Sequence, residues 1–268
     1  MLKLLKYEWK ACARICLPLY GAMLLMSVVS AVMTTERAKD FMNGIPTAIL
    51  GMLYFAMLVA VFVVTAVILI QRFYKNLLGD EGYLMFTLPV TVAQHIWSKV
   101  IVAVAVCFLS GIVALLSMMI LGADTNLIYG IGAMLGELGN VIIKEPNAIG
   151  YMLEGILLMV LGTASAVLYV YLCMALGHLA KKHRVLMSVV WYFVLSTAVQ
   201  FLLSFVLVGV VNGPMQTLVE AVAKMVMGMP QEAMLHGVLL FFCAAAAIPG
   251  AICYGGTYYV LKNRLNLE

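Results

Sequence analysis

Six apolar runs divide this chain, at residues 15–33, 47–70, 100–122, 155–177, 185–211 and 237–261, and none contains a charged residue. Each is long enough to cross a bilayer as a helix, which takes ~17–25 residues. The runs are joined by polar connections, so the pattern predicts an all-α, polytopic membrane protein with six transmembrane helices. Residues 1–268 then form a single transmembrane domain. Composition agrees: the chain is 65% hydrophobic and 10% charged, with a mean hydropathy of +1.08. A soluble domain is about a quarter charged, so a water-soluble globule is excluded.

The polar interruptions carry their own designs. Residues 1–14 place Lys3, Lys6, Lys10 and Arg14 within one arc of a helix, and Leu5, Trp9, Cys12 and Cys16 on another. A basic stripe beside an apolar stripe predicts an amphipathic elbow helix lying in the surface of the bilayer. Between spans two and three, Gln71 to Lys99 reads as helix, stop, short helix, stop, helix. Leu77-Leu78-Gly79 ends the first helix, because glycine accepts a left-handed cap. Asp80 caps a short helix with Glu81 in its first turn, followed by Gly82 and the apolar cluster Tyr83, Leu84, Met85 and Phe86. Thr87 and Leu88 lead to Pro89, which ends that piece. Thr91 and Gln94 form a capping box that opens the next helix.

Two further connections are unusual. Residues 122–149 combine apolar positions at helical spacing with Gly130, Gly132, Gly136 and Gly139, which suits a partly embedded or interface-lying segment. Residues 212–236 predict an amphipathic helix opened by Pro214 and closed by Pro230.

Charge sets the orientation. Twelve of the sixteen Lys and Arg residues fall at the N-terminus, at 72–99, at 181–184 and at 262–264, all on one side of a six-span topology. By the positive-inside rule both termini and the 71–99 stretch face the cytoplasm. The net charge of +4 is this asymmetry and implies no nucleic-acid partner. The six cysteines lie in or beside apolar runs without a C-x-x-C pair, which reads as buried thiols. His178 and His183 miss the i, i+4 spacing of a helical zinc pair.

Polar residues inside the spans are few. Ser196, Gln200 and Ser204 make one stripe along span five, the candidate wall of a transport path or a site of interhelical hydrogen bonding. Glu154 at the start of span four is a second transport-path candidate, or a carboxylate resting at the headgroups. No phosphate-cradling G-x-x-x-x-G-K-[ST], H-E-x-x-H or G-x-S-x-G motif occurs. The sequence therefore predicts no catalytic residue, no metal ligand and no cofactor, and a protein that is not an enzyme. If it moves a substrate, the energy comes from outside the chain.

The layout resembles the membrane-spanning permease subunits of ABC-2 type ABC transporters, and RFYKNLLGDEGYLMFTLPVT is similar to small permeases of this kind in Gram-positive bacteria. The resemblance implies an exporter subunit in a bacterial plasma membrane. It implies two copies of a separate ABC ATPase and a second permease subunit, as a homodimer or heterodimer. The coupling helix would comprise Asp80, Glu81, Gly82, Tyr83, Met85, Phe86, Thr87, Leu88 and Pro89, docked on the ATPase. An amphipathic peptide, a drug or a lipid-like molecule would be the cargo. The alternatives are a non-transporting immunity or scaffold protein in the membrane, and an autonomous secondary transporter.

Overall fold

The computed structural model describes residues 2–34, 45–79, 90–121, 132–133, 136–137, 139–140, 147–180, 182–212, 216–217, 221, 224, 228 and 230–263. Among these residues the long elements are all helices and there is no strand. They are α1 (Leu2–Thr34), α2 (Ile45–Phe73), α3 (Val92–Leu121), α4 (Ala148–His178), α5 (Arg184–Asn212) and α6 (Gln231–Asn263). All six are long and apolar enough to span a membrane. Each contains one of the six runs almost entirely and extends beyond it into polar sequence.

The N-terminal segment differs from its expected form. Rather than a separate elbow helix joined to span one, Leu2–Thr34 is one uninterrupted helix. No glycine or proline stands between Lys10 and Leu17 to stop it, and Pro18 is carried inside the helix. The basic stripe is thus the first four turns of α1, with Lys6, Lys10 and Arg14 exposed. Cys12 and Cys16 are buried as expected of the apolar stripe, but Trp9 is exposed.

Helix α2 passes into a π-helical turn, Tyr74–Leu78, before the bend at Gly79. The stop at 77–79 is where the sequence puts it; the widened last turn is not foreseen. The capping box at the start of α3 forms reciprocally. Thr91 N–H donates to Gln94 Oε1 at 3.2 Å, and Gln94 N–H donates to Thr91 Oγ1 at 3.4 Å. The expected coupling helix, Asp80 to Pro89, lies outside the described residues, as does most of 122–146 and 213–229.

The helices form two units. In the first, residues 1–75 and 89–146, α1 packs against both α2 and α3, which also touch one another. Its interior is lined with small hydroxyls. Ser27, Ser110 and Ser117 donate back to carbonyls of their own helices at 2.8 Å, so they fill little space and the backbones approach closely. Tyr54 and Ser117 join α2 to α3 at 2.9 Å, and Tyr20 donates from α1 to the Val106 carbonyl of α3 at 3.3 Å.

In the second unit, residues 76–88 and 147–268, α4 is central and packs against α5 and α6. Glycine sets both contacts. A Cβ on Gly177 of α4 would lie 2.4 Å from the backbone nitrogen of Ser188 on α5. A Cβ on Gly256 of α6 would lie 2.8 Å from Leu172. Proline 249 removes an N–H from the interior of α6. One residue from the carbonyl this leaves unpaired, Ser165 of α4 donates to the Ala246 carbonyl, a neighbouring helix supplying a donor where the ladder is weakened. Helix α5 is the least enclosed element: among its described side chains only Ser188 is buried.

Candidate functional site

The strongest concentration of buried charge lies in the first unit. Glu8 stands on the buried face of α1, which continues through Cys12, Cys16, Tyr20, Met23 and Ser27 at spacings of three and four. Its carboxylate meets one cation from each neighbouring helix. Oε1 accepts from Lys99 Nζ of α3 at 2.8 Å, and Oε2 lies 3.2 Å from Arg72 Nη2 of α2. Arg72 Nη1 also donates to the Glu8 carbonyl at 2.8 Å and to Cys12 Sγ at 3.4 Å. Lys99 donates in turn to the Arg72 carbonyl at 3.4 Å. Glu8 and Lys99 are each 5% exposed, while the Arg72 side chain is 22% exposed.

Every pair among the three helices is bridged by this cluster. Desolvating ions is costly, and the cost is offset only where geometry is good and the remaining donors and acceptors are satisfied. Here both carboxylate oxygens are engaged, and both cations make further contacts to backbone carbonyls. With all three groups ionised the cluster keeps one net positive charge. It also occupies a defined place in the chain. Arg72 and Lys99 stand on either side of residues 80–89, and Glu8 holds both flanks to the first turns of α1.

Sequence reasoning took Arg72 and Lys99 as positive-inside flanks and passed over Glu8. A signal was present: Glu8 is the single acidic residue among the basic residues of the first fourteen, and it shares a face with Cys12 rather than with Lys6 or Lys10.

The second unit holds a smaller polar cluster. Glu154, near the start of α4, accepts from or pairs with His236 Nδ1 of α6 at 2.8 Å. The Tyr151 ring lies 4.4 Å from the His236 ring, centroid to centroid. Asn147 Nδ2 donates to Glu232 Oε2 at 2.7 Å, and Tyr151 Oη donates to the Glu232 carbonyl at 3.4 Å. Glu154 Oε2 is buried without a hydrogen-bond partner among the described residues. Glu154 is thus not isolated; it ties α4 to α6 through His236, which is not among the candidates read from the sequence.

The stripe on α5 is not part of this cluster. Ser196 is half-buried, whereas Gln200 and Ser204 are exposed. At the other end of α4, His178 Nε2 lies 3.2 Å from Arg184 Nη1, and His183 adopts a left-handed φ of 54° in the turn to α5. No group of three or more metal-binding side chains occurs among the described residues. The described cysteines are all free thiols, five of them buried.

No protein-family model matches this chain, and no curated protein or solved structure matches it.

Proposed function

We propose that this protein is the membrane-spanning permease subunit of an ATP-binding-cassette exporter, driven by separate ATPase subunits. Both termini and residues 71–99 face the cytoplasm of a bacterial cell in this reading, and the distribution of Lys and Arg supports the orientation. A second permease subunit completes the transporter. The cargo is an amphipathic peptide, a drug or a lipid-like molecule, in keeping with spans that hold almost no charge.

The observation that carries the reading is the cluster of Glu8, Arg72 and Lys99, whose two cations lie in the helices that precede and follow residues 80–89 in the sequence. A segment that receives mechanical work from a partner needs rigid attachment to the helices it moves. Arg72 and Lys99 precede and follow this one in sequence and share a buried carboxylate with α1, so the ends of α2 and α3 that adjoin it in the chain are tied to α1. The segment itself offers Tyr83, Met85 and Phe86, side chains suited to an interface, and the chain has no phosphate-binding loop of its own.

Co-purification tests this directly. A candidate ABC ATPase is co-expressed and isolated with wild type and with Phe86→Ala or Asp80→Lys. Loss of a buried aromatic anchor costs about 2 kcal/mol or more, a weakening of about thirtyfold. Both variants are expected to insert normally and to release the ATPase. Retention of the full complex by both removes the coupling role from residues 80–89.

A further inference from the structure

The lateral surface between α1 and α3 is not smooth. Two adjoining hollows lie along it, of about 240 Å³ and about 220 Å³, and Trp9 lines both. The first is bordered by Lys6; the second extends past Ala13 and Leu17 to Tyr20. The wall from α3 includes Ala105 in the first hollow and Val106 in the second. Small residues on both helices, Ala13 and Ala105, open the trough, and the remaining lining is almost wholly apolar.

We infer that this groove holds one acyl chain of an anionic glycerophospholipid whose headgroup phosphate is met by Lys6. The order of side chains along α1 matches the order of groups in such a molecule. Lys6 is an exposed cation at the basic end of the helix. Trp9 follows one turn on, a residue type that settles at the boundary between headgroup and hydrocarbon. Beyond it the lining is apolar. From Leu5 to Tyr20 the helix rises ~22 Å, more than the ~15 Å of one leaflet's hydrocarbon, so a full chain and its glycerol have room. Lys10, also exposed one turn beyond Lys6, adds positive potential near the mouth.

The inference does not depend on the exporter reading, since it concerns only α1, α3 and the bilayer.

The chain has three tryptophans, Trp9, Trp97 and Trp191. Trp97→Phe with Trp191→Phe leaves Trp9 as the sole fluorophore, placed inside the proposed site. This protein is reconstituted in phosphatidylcholine vesicles doped with equal small fractions of brominated phosphatidylglycerol or brominated phosphatidylcholine. Bromine quenches tryptophan on contact. Brominated phosphatidylglycerol is expected to quench Trp9 at about fivefold lower mole fraction, the preference one lysine confers at an anionic surface. Lys6→Gln should abolish the preference, while Lys10→Gln, which lies outside the groove, should leave most of it. Equal quenching by the two lipids overturns the inference, because Trp9 then meets only bulk lipid. So does an anionic preference that survives Lys6→Gln or falls equally with Lys10→Gln, which would mark a diffuse basic surface.

Discussion

Lys99 Nζ lies 2.8 Å from Glu8 Oε1 although 91 residues separate the two in sequence. The contact joins the first turns of the chain to the start of α3, and Arg72 reaches the same carboxylate from α2 at 3.2 Å. Lys99 could not be left at this depth without Glu8. The carboxylate also depends on both cations, since an unpaired ion of either sign is expensive where water is excluded.

Removing Glu8 should therefore harm the first unit more than its size suggests. Glu8→Gln leaves the buried Lys99 beside the partly exposed Arg72 with no carboxylate between them, and is expected to cost about 3 kcal/mol. Replacing the whole cluster, as Glu8→Met with Arg72→Leu and Lys99→Met, should recover most of that loss, because an apolar set of similar volume carries no desolvation penalty. Thermal unfolding in detergent compares the two. A Glu8→Gln protein that melts with wild type shows that the cluster does not hold the helices.

Much of this architecture is legible in the order of residues, and the exceptions have one cause. Uncharged runs of this length have few other folded fates than crossing a bilayer, so the helices around Val61, Val113 and Leu168 could be placed from sequence. The Thr91–Gln94 box was equally readable, because its partners are three residues apart and their geometry is local. Glu8 and His236 were not, since the meaning of each comes from side chains 64 to 91 residues away. Helical periodicity reports which face a residue occupies, but not what stands opposite. The continuity of α1 was missed for a related reason. A change from basic to apolar composition at Arg14 suggests a boundary, yet backbone hydrogen bonding needs a breaker to end a helix, and none is there. Residues 80–89, the segment with the most distinctive sequence, lie outside the described residues.

Gly177 offers a test of the second unit. A Cβ there would sit 2.4 Å from Ser188 N and 2.5 Å from Ser188 Cα. Because backbone atoms are met, α4 and α5 must part to admit a methyl group. Gly177→Ala is expected to destabilise by about 1–3 kcal/mol. Trimming the hydroxyl with Ser188→Ala should fail to restore stability. Rescue by that second change would mean that only the side chain was in the way.

Glu154 and His236 should be energetically coupled. Their side chains are 18% and 30% exposed, so solvent screens the pair and a full buried-ion figure does not apply. A double-mutant cycle with Glu154→Gln and His236→Gln is expected to give a coupling of about 1 kcal/mol, within the range for residues in contact. His236→Ala should be worse than Glu154→Gln, since it strips Oε1 of its partner while Oε2 already lacks one among the described residues. Strictly additive effects would show that the 2.8 Å contact contributes nothing to the joining of α4 and α6.

Helix α5 gives the last prediction. A polar residue in mid-span is costly against lipid, and Gln200 is exposed on a helix whose spanning window has none of its residues buried. Ser204 lies one turn further along and is exposed as well. The exporter reading gives these residues a use, as the face that meets the second permease subunit or borders the path between the two. An interhelical hydrogen bond of this kind contributes ~0.6–2 kcal/mol in a membrane. Gln200→Leu should leave expression and insertion intact while weakening self-association or transport. Introducing Ser204→Cys into a cysteine-free background makes the geometry testable, because two copies apposed along α5 would cross-link under mild oxidation. Cross-linking at Ser204→Cys that Gln200→Leu reduces supports a paired face. If Gln200→Leu changes neither association nor transport, and Ser204→Cys remains monomeric, the stripe is not where two subunits meet.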